Sequence, residues 1–180
     1  MFAAQEYVPF GGEIETAGDV SRGGHENLMT ETGLKPGFWR GRALADLNRE
    51  EWEALCDGCG RCCLIKLEDE DTGAIAYTDV ACRLFDDATC RCGNYALRFQ
   101  LVKGCVRLAP ETIEDDKDWM PKTCAYRVLA EGGDLPDWHY LVSGSHETVR
   151  EAGIAVHRRT TPEYEVEEDE YEDRIIEGMI

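Results

Sequence analysis

The sequence Cys56-Asp57-Gly58-Cys59-Gly60-Arg61-Cys62-Cys63 places four thiols within eight residues. Few roles other than metal binding require so many sulfur atoms in so short a segment. Two residues between successive cysteines allow a tight turn to direct both sulfurs at one centre, while backbone N–H groups hydrogen-bond the sulfurs. Gly58 and Gly60 suit this turn because glycine accepts a positive φ. The run therefore predicts a metal site built around one short loop.

The spacing within the run favours iron over a zinc ribbon. C-x2-C-x2-C resembles the first three ligands of a cubane iron–sulfur cluster, whereas the two C-x2-C pairs of a zinc ribbon are separated by about a dozen or more residues. The bacterial ferredoxin pattern would continue with a cysteine at the position of Lys66. A fourth ligand must therefore come from a distant part of the chain, or the site stays open.

Further cysteines extend the predicted ligand set beyond the run. Eight of the nine lie between residues 56 and 105, and those outside the run are Cys82, Cys90, Cys92 and Cys105. They either complete one site or build another. Because adjacent side chains usually point apart, we expect one of Cys62 and Cys63 to serve a second metal. Cys124 and His139 are secondary candidates, since a cysteine on an apolar helix face often only fills the core.

Composition limits the class of protein. The chain has 180 residues and 43% apolar content, enough for one domain with a modest core. A formal net charge of -18 would repel phosphate backbones and anionic lipid, so we expect neither a nucleic-acid nor a membrane partner. The amino terminus lacks the basic and apolar regions of a signal peptide, which predicts a cytoplasmic protein. In that reducing compartment nine thiols would not persist as disulfides.

The pattern along the chain predicts an α+β fold: one small domain with short helices, a small hairpin or sheet, and cysteine loops tethered by metal. Asn48 and Glu51 form a capping-box signature for a helix that delivers Cys56 at its end. Two apolar segments, 64–67 and 74–78, flank an acidic turn and predict a hairpin. Short helices are expected at about 122–131 and 146–151.

Three regions are expected. Residues 1–37 form a Gly-rich arm that is disordered or loosely docked, residues 38–160 form the cysteine-cluster metal-binding domain, and residues 161–180 form an acidic tail. The last twenty residues hold nine acidic side chains against one Arg174, and Tyr171, Ile175 and Met179 recur at a helical spacing. The tail is either a solvated end or a segment that docks on a protein partner or on its own domain.

Several stretches resemble a known bacterial family. They are Cys56–Leu64, Lys66-Leu67, Val80–Arg83, Thr89–Cys92, Asn94-Tyr95, Pro121–Arg127 and Trp138-His139. Together they resemble the YcgN-like proteins, a branch of the YkgJ-type CxxCxxCC proteins. The resemblance implies an uncharacterised protein with a zinc- or iron-chelating domain. It also makes Cys124 and His139 stronger candidates for functional residues. Flagellin lysine methylases share the CxxCxxCC signature, and in that group an iron–sulfur cluster is implied.

Three classes of function remain open. The first is a cytosolic protein that holds an iron–sulfur cluster or other iron centre for redox chemistry, sensing or metal handling. The second is a zinc-stabilised module that binds a protein partner, with the acidic tail as an interaction element. The third is a metal-dependent enzyme such as a methyl-group transferase. No G-x-G-x-x-G follows a predicted strand, so an enzymatic role rests on the analogy with the methylases.

Overall fold

Short helices and two small sheets make up residues 33–179, the part of the chain that this computed structural model describes. The helices are α1 (Arg49–Glu53), α2 (Arg98–Leu101), α3 (Ile113–Asp116), α4 (Ala125–Ala130), α5 (Tyr140–Ser143) and α6 (Thr148–Glu151). The strands are β1 (Leu64–Glu68), β2 (Ile75–Ala81), β3 (Phe85–Asp86), β4 (Arg91–Cys92) and β5 (Thr161–Pro162). The α+β prediction is confirmed. In residues 33–179 no helix is long and apolar enough to cross a membrane.

The predicted hairpin forms the larger sheet. β1 pairs antiparallel with β2, and β5 adds to the other edge of β2 in parallel, which gives the order β1-β2-β5. At the acidic turn, a side-chain oxygen of Asp69 accepts a hydrogen bond from the Thr72 backbone N–H at 2.8 Å. β3 and β4 form a separate two-stranded sheet that pairs Phe85 with Cys92. The cysteine run thus leads directly into the hairpin.

Helix α1 begins as its sequence predicts. The Asn48 side chain accepts from the Glu51 backbone N–H at 3.0 Å, and the Glu51 carboxylate accepts from the Asn48 N–H at 2.9 Å. Trp52 turns inward and packs against Tyr126 of α4, with ring centroids 4.6 Å apart. This contact joins α1 to the largest apolar cluster, and Cys56 follows at the end of the helix.

The C-terminal segment packs on the sheet of its own chain. The Ile176 N–H donates to the Tyr77 carbonyl at 2.7 Å, and Arg174 pairs with Asp79 at 2.8 Å. The prediction that Tyr171, Ile175 and Met179 share one face of a helix is wrong. The segment forms short 3-10 turns at Glu168–Glu170 and Glu172–Arg174. An isolated bridge then pairs Ile175 with Thr78. The division into three regions stays a prediction, because most of the predicted arm, residues 1–32, lies outside the described residues.

Backbone contacts from distant segments hold the cysteine run in place. The Val156 N–H donates to the Cys59 carbonyl at 2.9 Å, and the Arg61 guanidinium donates to the Ile154 carbonyl at 2.7 Å. Gly60 has a φ of 79°, and a Cβ there would lie 2.6 Å from the Phe85 ring and 2.8 Å from a Val156 methyl. Only glycine fits this crossing, which fixes the loop against the 154–156 segment.

His139 supports the residue before the run from inside the protein. The side chain is fully buried; its Nε2 lies 3.0 Å from the Leu55 carbonyl oxygen, and its Nδ1 accepts from the Leu141 N–H at 3.2 Å. This arrangement assigns the proton to Nε2 and the neutral form to the ring. Burial lowers the pKa of His139 below its ordinary value. The histidine therefore stabilises the end of α1 without carrying a charge.

Replacing Gly60 with alanine should destabilise the run. Gly60→Ala adds a methyl group to a position with a positive φ and into contact with Phe85 and Val156. Gly58→Ala is the matched control: φ is 72°, but the nearest atom to its Cβ is the Arg91 guanidinium carbon at 3.6 Å. We expect Gly60→Ala to lower the free energy of unfolding by about 1–3 kcal/mol more than the control, measured by urea denaturation. Equal losses would contradict the steric explanation.

Protonation of His139 should weaken the fold at mildly acid pH. The unfolded histidine titrates near pH 6.5, about its ordinary pKa, and the folded one titrates lower, so the unfolded state binds more protons below this pH. The contribution of His139 is complete above about pH 6.5 and falls as the pH drops toward the folded pKa. We expect the free energy of unfolding to fall less steeply from about pH 6.5 to 5 in His139→Gln than in the wild type. Parallel pH profiles from urea titrations would rule out this role.

Candidate metal centre

Six of the predicted ligands line one cavity of about 850 Å³. They are Cys56, Cys62, Cys63, Cys82, Cys92 and Cys105. Aromatic side chains, among them Trp52, Tyr95 and Tyr126, form another part of its wall. The fold therefore brings together cysteines that are up to 49 positions apart in the sequence. The sequence predicted both the run and its distant candidates, and the structure shows which of the distant ones share a cavity with the run.

Two further predicted ligands, Cys59 within the run and Cys124 outside it, do not line the cavity. Burial raises the pKa of Cys59 above its usual value, and the neighbouring charges of Asp57, Cys62 and Cys124 act in the same direction. Burial likewise raises the pKa of Cys124 to about 12, with Cys62 among the contributing neighbours. Cys124 is the cap residue of α4, and the hydroxyl of the preceding Thr123 accepts a hydrogen bond from the Arg61 guanidinium of the run at 3.5 Å. The three thiols of Cys59, Cys62 and Cys124 are thus within electrostatic reach of one another.

Asp57 is buried among these thiols. One of its oxygens accepts a hydrogen bond from the Cys59 N–H at 2.9 Å, while the other, Oδ2, is buried and has no hydrogen-bond partner among the described residues. Loss of solvent around the thiol raises the pKa of Cys56 to about 12, and the charges of Cys62 and Asp57 add to this increase. A buried carboxylate oxygen without a donor is costly, and a nearby cation would offset that cost. The donor set at this end of the run therefore fits a positively charged metal.

Cys62 and Cys63 are in contact, and the contact shifts their pKa values in opposite directions. Their sulfurs are 4.0 Å apart, where either thiol can be the donor, and the hydrogen bond lowers the pKa of Cys62 to about 7. The same hydrogen bond raises the pKa of Cys63, and burial and the charges of Cys62, Cys82 and Cys92 add to that increase. In this structure Cys62 is the thiol of the pair that ionises first.

Strand pairing places Cys63, Cys82 and Cys92 beside one another. The Cys82 N–H donates to the Cys63 carbonyl at 2.9 Å. The Cys82 carbonyl in turn accepts from the N–H of Phe85 at 2.8 Å, and Phe85 pairs with Cys92 across β3 and β4. Cys105 completes this side of the cavity; burial raises its pKa, and the charges of Cys82 and Cys92 contribute in the same direction.

Two of the predicted ligands are placed elsewhere. Cys90 has a φ of 55°, is buried, and packs in an apolar cluster with Cys59, Val149 and Ala155 rather than in the cavity wall. His139 has both ring nitrogens engaged by the backbone. Within residues 33–179, no group of three or more His, Cys, Asp or Glu side chains is gathered tightly enough to hold a metal ion. The thiols surround the cavity instead of meeting at one point, and the ligand set stays a prediction.

Basic side chains, which the sequence analysis did not single out for function, lie among the thiols. Lys66, Arg91 and Arg98 all line the cavity. The Lys66 ammonium donates to the Cys62 carbonyl at 2.9 Å; burial lowers its pKa, and the nearby thiols, Cys62 first, oppose that change. Arg91 stands between Cys90 and Cys92 in the sequence, a position that marks it as a neighbour of any metal held there. These cations can offset the negative charge of thiolates in a protein whose net charge is -18.

Comparison with known proteins supports this assignment of the cysteine region. Residues 55–125, which contain all nine cysteines, match the CxxCxxCC family, described as a "putative zinc- or iron-chelating domain". No solved structure matches the chain.

Full-length relatives extend the match to both sides of that region. A UPF0260 protein of Parvibaculum lavamentivorans is 57% identical over 139 residues, which is 77% of this chain and 90% of the relative. A UPF0260 protein of Rhodobacter capsulatus is 53% identical over 146 residues, 81% of this chain and 97% of the relative. One from Pseudomonas aeruginosa is 50% identical over 139 residues, 77% and 93% of the two chains. The chain belongs to the UPF0260 family, with the CxxCxxCC signature at the centre of its fold.

Proposed function

We propose that this protein is a cytosolic iron protein that holds an iron–sulfur cluster through Cys56, Cys59 and Cys62 of the run, with Cys124 as the distant fourth ligand. Its roles would be redox chemistry, sensing or metal handling. We also propose that it falls in the YcgN-like branch of the CxxCxxCC proteins, on the motifs quoted above. The observation that carries the proposal is the contact between the run and the residue before Cys124: the Arg61 guanidinium donates to the Thr123 hydroxyl at 3.5 Å, and the Cys59 and Cys62 thiols are charge neighbours of Cys124.

The protein environment suits such a centre. Burial raises the pKa of Cys124 to about 12 and that of Cys59 above its usual value, so both thiols remain protonated at neutral pH unless a positive charge is close. A metal supplies that charge and displaces the protons, so binding and deprotonation are coupled. When bound, an iron–sulfur cluster supplies one-electron redox chemistry. Lys66 and Arg91 lie where they can reduce the net negative charge of the thiolate ligands.

Metal binding requires the thiols to move closer together than they are in this structure. The run is a suitable place for this movement, because it contains no regular helix or strand before the short 3-10 turn at Arg61–Cys63. Gly58 and Gly60 allow its backbone to curve, while the bonds to Cys59 and Arg61 hold the loop on the domain. The loop could therefore close around a metal while its bonds to Ile154 and Val156 keep it attached to the rest of the domain.

A zinc-stabilised protein-interaction module is the second candidate. The strand pairing that places Cys63, Cys82 and Cys92 side by side, with Cys105 in the same cavity wall, favours it, because four cysteine ligands are typical of structural zinc. The acidic tail would supply the surface for a protein partner, since most side chains between 167 and 173 are exposed. This candidate predicts zinc alone, whereas the first predicts iron.

A metal-dependent enzyme such as a methyl-group transferase is supported by the size of the cavity. About 850 Å³ lies within the range of small-molecule sites. Lys66, Arg91 and Arg98 in its wall would favour an anionic substrate. Substrate binding next to a metal centre would then distinguish this class from an electron carrier.

Metal analysis of protein purified without oxygen separates the first two candidates. We expect brown protein with visible absorption from iron–thiolate charge transfer, and iron and acid-labile sulfide in near-equal amounts. Metal content by mass spectrometry and sulfide by colorimetric assay are the measurements. A colourless preparation that contains stoichiometric zinc and no iron would overturn the iron–sulfur proposal in favour of the zinc module.

Replacing Cys59 with serine should remove iron and lower the melting temperature, because metal binding is coupled to folding. Cys90→Ser is a matched control, since Cys90 is buried in the same apolar cluster as Cys59 but lies on a different loop. Cys90→Ser should retain the iron content of the wild type. If Cys59→Ser keeps both its iron and its melting temperature, the run does not hold the metal.

A further inference from the structure

Residues 91–108 form a basic segment on an acidic protein. The segment contains four basic side chains and no acidic one, whereas the whole chain has a net charge of -18. These cations are Arg91, Arg98, Lys103 and Arg107. Within residues 33–179, no carboxylate forms an ion pair with any of them. The basic segment therefore carries positive charge that the described part of the chain leaves unpaired.

Apolar side chains of the basic segment are exposed beside these charges. Leu97 and Leu101, at the two ends of α2, are 44% and 50% exposed. The Arg98 guanidinium lies 3.5 Å from the centre of the exposed Tyr95 ring, and this stacking holds the charge in position before any partner binds. Exposed apolar groups surrounded by polar ones are typical of surfaces that bind another protein.

Negative charge is concentrated in residues 163–173, the acidic segment. This segment contains eight acidic side chains and no basic one. Among its carboxylates, only that of Glu163 forms an ion pair within residues 33–179, with Arg83. The Tyr164 side chain is 71% exposed. The acidic segment thus offers unpaired carboxylates and an exposed ring, which complement the cations and the leucines of the basic segment.

Both segments border the cavity of about 850 Å³. Arg98 and Val102 of the basic segment line it, and so does Glu163 of the acidic segment. The two segments reach the cavity from different elements: Arg98 begins α2, whereas Glu163 follows β5 and accepts a hydrogen bond from the Arg83 N–H at 3.1 Å. One face of the molecule therefore has a basic part and an acidic part around the same cavity.

We propose that this face binds a second copy of the chain in a two-fold symmetric dimer. In such an interface both copies use the same surface, so the basic segment of each copy meets the acidic segment of the other. The same contact brings the exposed Tyr164 ring to the exposed leucines of α2. A second copy fits as the occupant because it carries the complementary charge on the same face.

The high net charge of the chain is compatible with this pairing. At physiological ionic strength, exposed charges more than about 8 Å apart are largely screened, so the charges that meet at the interface outweigh those elsewhere on the two copies. The dimer goes beyond the proposed metal function, and its formation does not depend on which metal the cysteines hold.

Charge substitution tests the pairing. Sedimentation velocity is measured on the full chain, purified without oxygen and kept reduced so that no disulfide links two copies. We expect the wild type to form dimers whose fraction rises with protein concentration. K103E/R107E cancels the net charge of the basic segment, and E165K/E168K/D169K/E172K cancels that of the acidic segment. Each variant should raise the dimer dissociation constant at least about tenfold. A wild type that is monomeric at every concentration, or variants as dimeric as the wild type, would overturn the proposal.

An equimolar mixture of the two variants tests whether the segments meet each other. In a dimer with one copy of each variant, one contact joins an unaltered basic segment to an unaltered acidic segment. We therefore expect heterodimers that are tighter than either homodimer, a gain that also shows that both variants are folded. R49E/K122E is the matched control, because both positions are exposed, lie outside the two segments and change the net charge by the same amount as K103E/R107E. No gain on mixing, or loss of the dimer in the control, would refute the pairing.

The apolar part of the interface has its own test. Leu101→Ser should raise the dimer dissociation constant about fivefold or more, because it removes an exposed leucine from the contact. Val142→Ser is the control, since Val142 is also an exposed apolar side chain of a short helix, α5. This control should dimerise like the wild type in the same sedimentation measurement. Equal effects of the two substitutions would rule out the basic segment as the contact surface.

Discussion

Enclosure of thiols by protein is the constraint on which the rest of this structure depends. Cysteine ligands must be deprotonated to bind a metal, yet burial raises the pKa of Cys124 to about 12 and that of Cys59 above its usual value. The Asp57 carboxylate beside them adds negative charge and leaves one buried oxygen without a donor. A buried carboxylate oxygen without a donor is unfavourable beside neutral thiols and favourable beside a cation, so Asp57 and its thiol neighbours together suit a site that holds a metal.

The apolar core explains why a metal would be needed. Buried side chains form three clusters: one around α1 and α4, one beside Cys59 and Cys90, and one beneath the sheet. The C-terminal segment adds to the last through Ile176 and Met179, whereas 91–112 contributes no buried residue. Small cores supply limited stability, and metal-linked loops commonly compensate for them. Cys59 and Cys90 belong to one of these clusters, whereas Cys92 and Cys105 lie in the segment without a buried residue.

Local sequence signals predicted the local structure, and long-range contacts account for what they missed. The capping box at Asn48 and the hairpin around the Asp69 turn depend on residues a few positions apart, so their patterns sufficed. The positions of Cys105 and Cys124 depend on how distant segments pack, which spacing does not encode. Asp57 was not singled out because an aspartate becomes notable only when it is buried. The spacing of Tyr171, Ile175 and Met179 predicted a helix that does not form, because Ile175 pairs with Thr78 of β2 instead.

The adjacent cysteines explain how one short run can take part in two structural tasks. Cys62 ends the loop that Gly60 fixes against Phe85 and Val156, whereas Cys63 begins the chain's entry into β1. Both sulfurs belong to the same 3-10 turn, at Arg61–Cys63, and they are 4.0 Å apart. Their charged surroundings nevertheless differ, because Lys66 and Asp57 act on Cys62, whereas Cys82 and Cys92 act on Cys63. Two adjacent thiols of one turn therefore meet two different sets of neighbours.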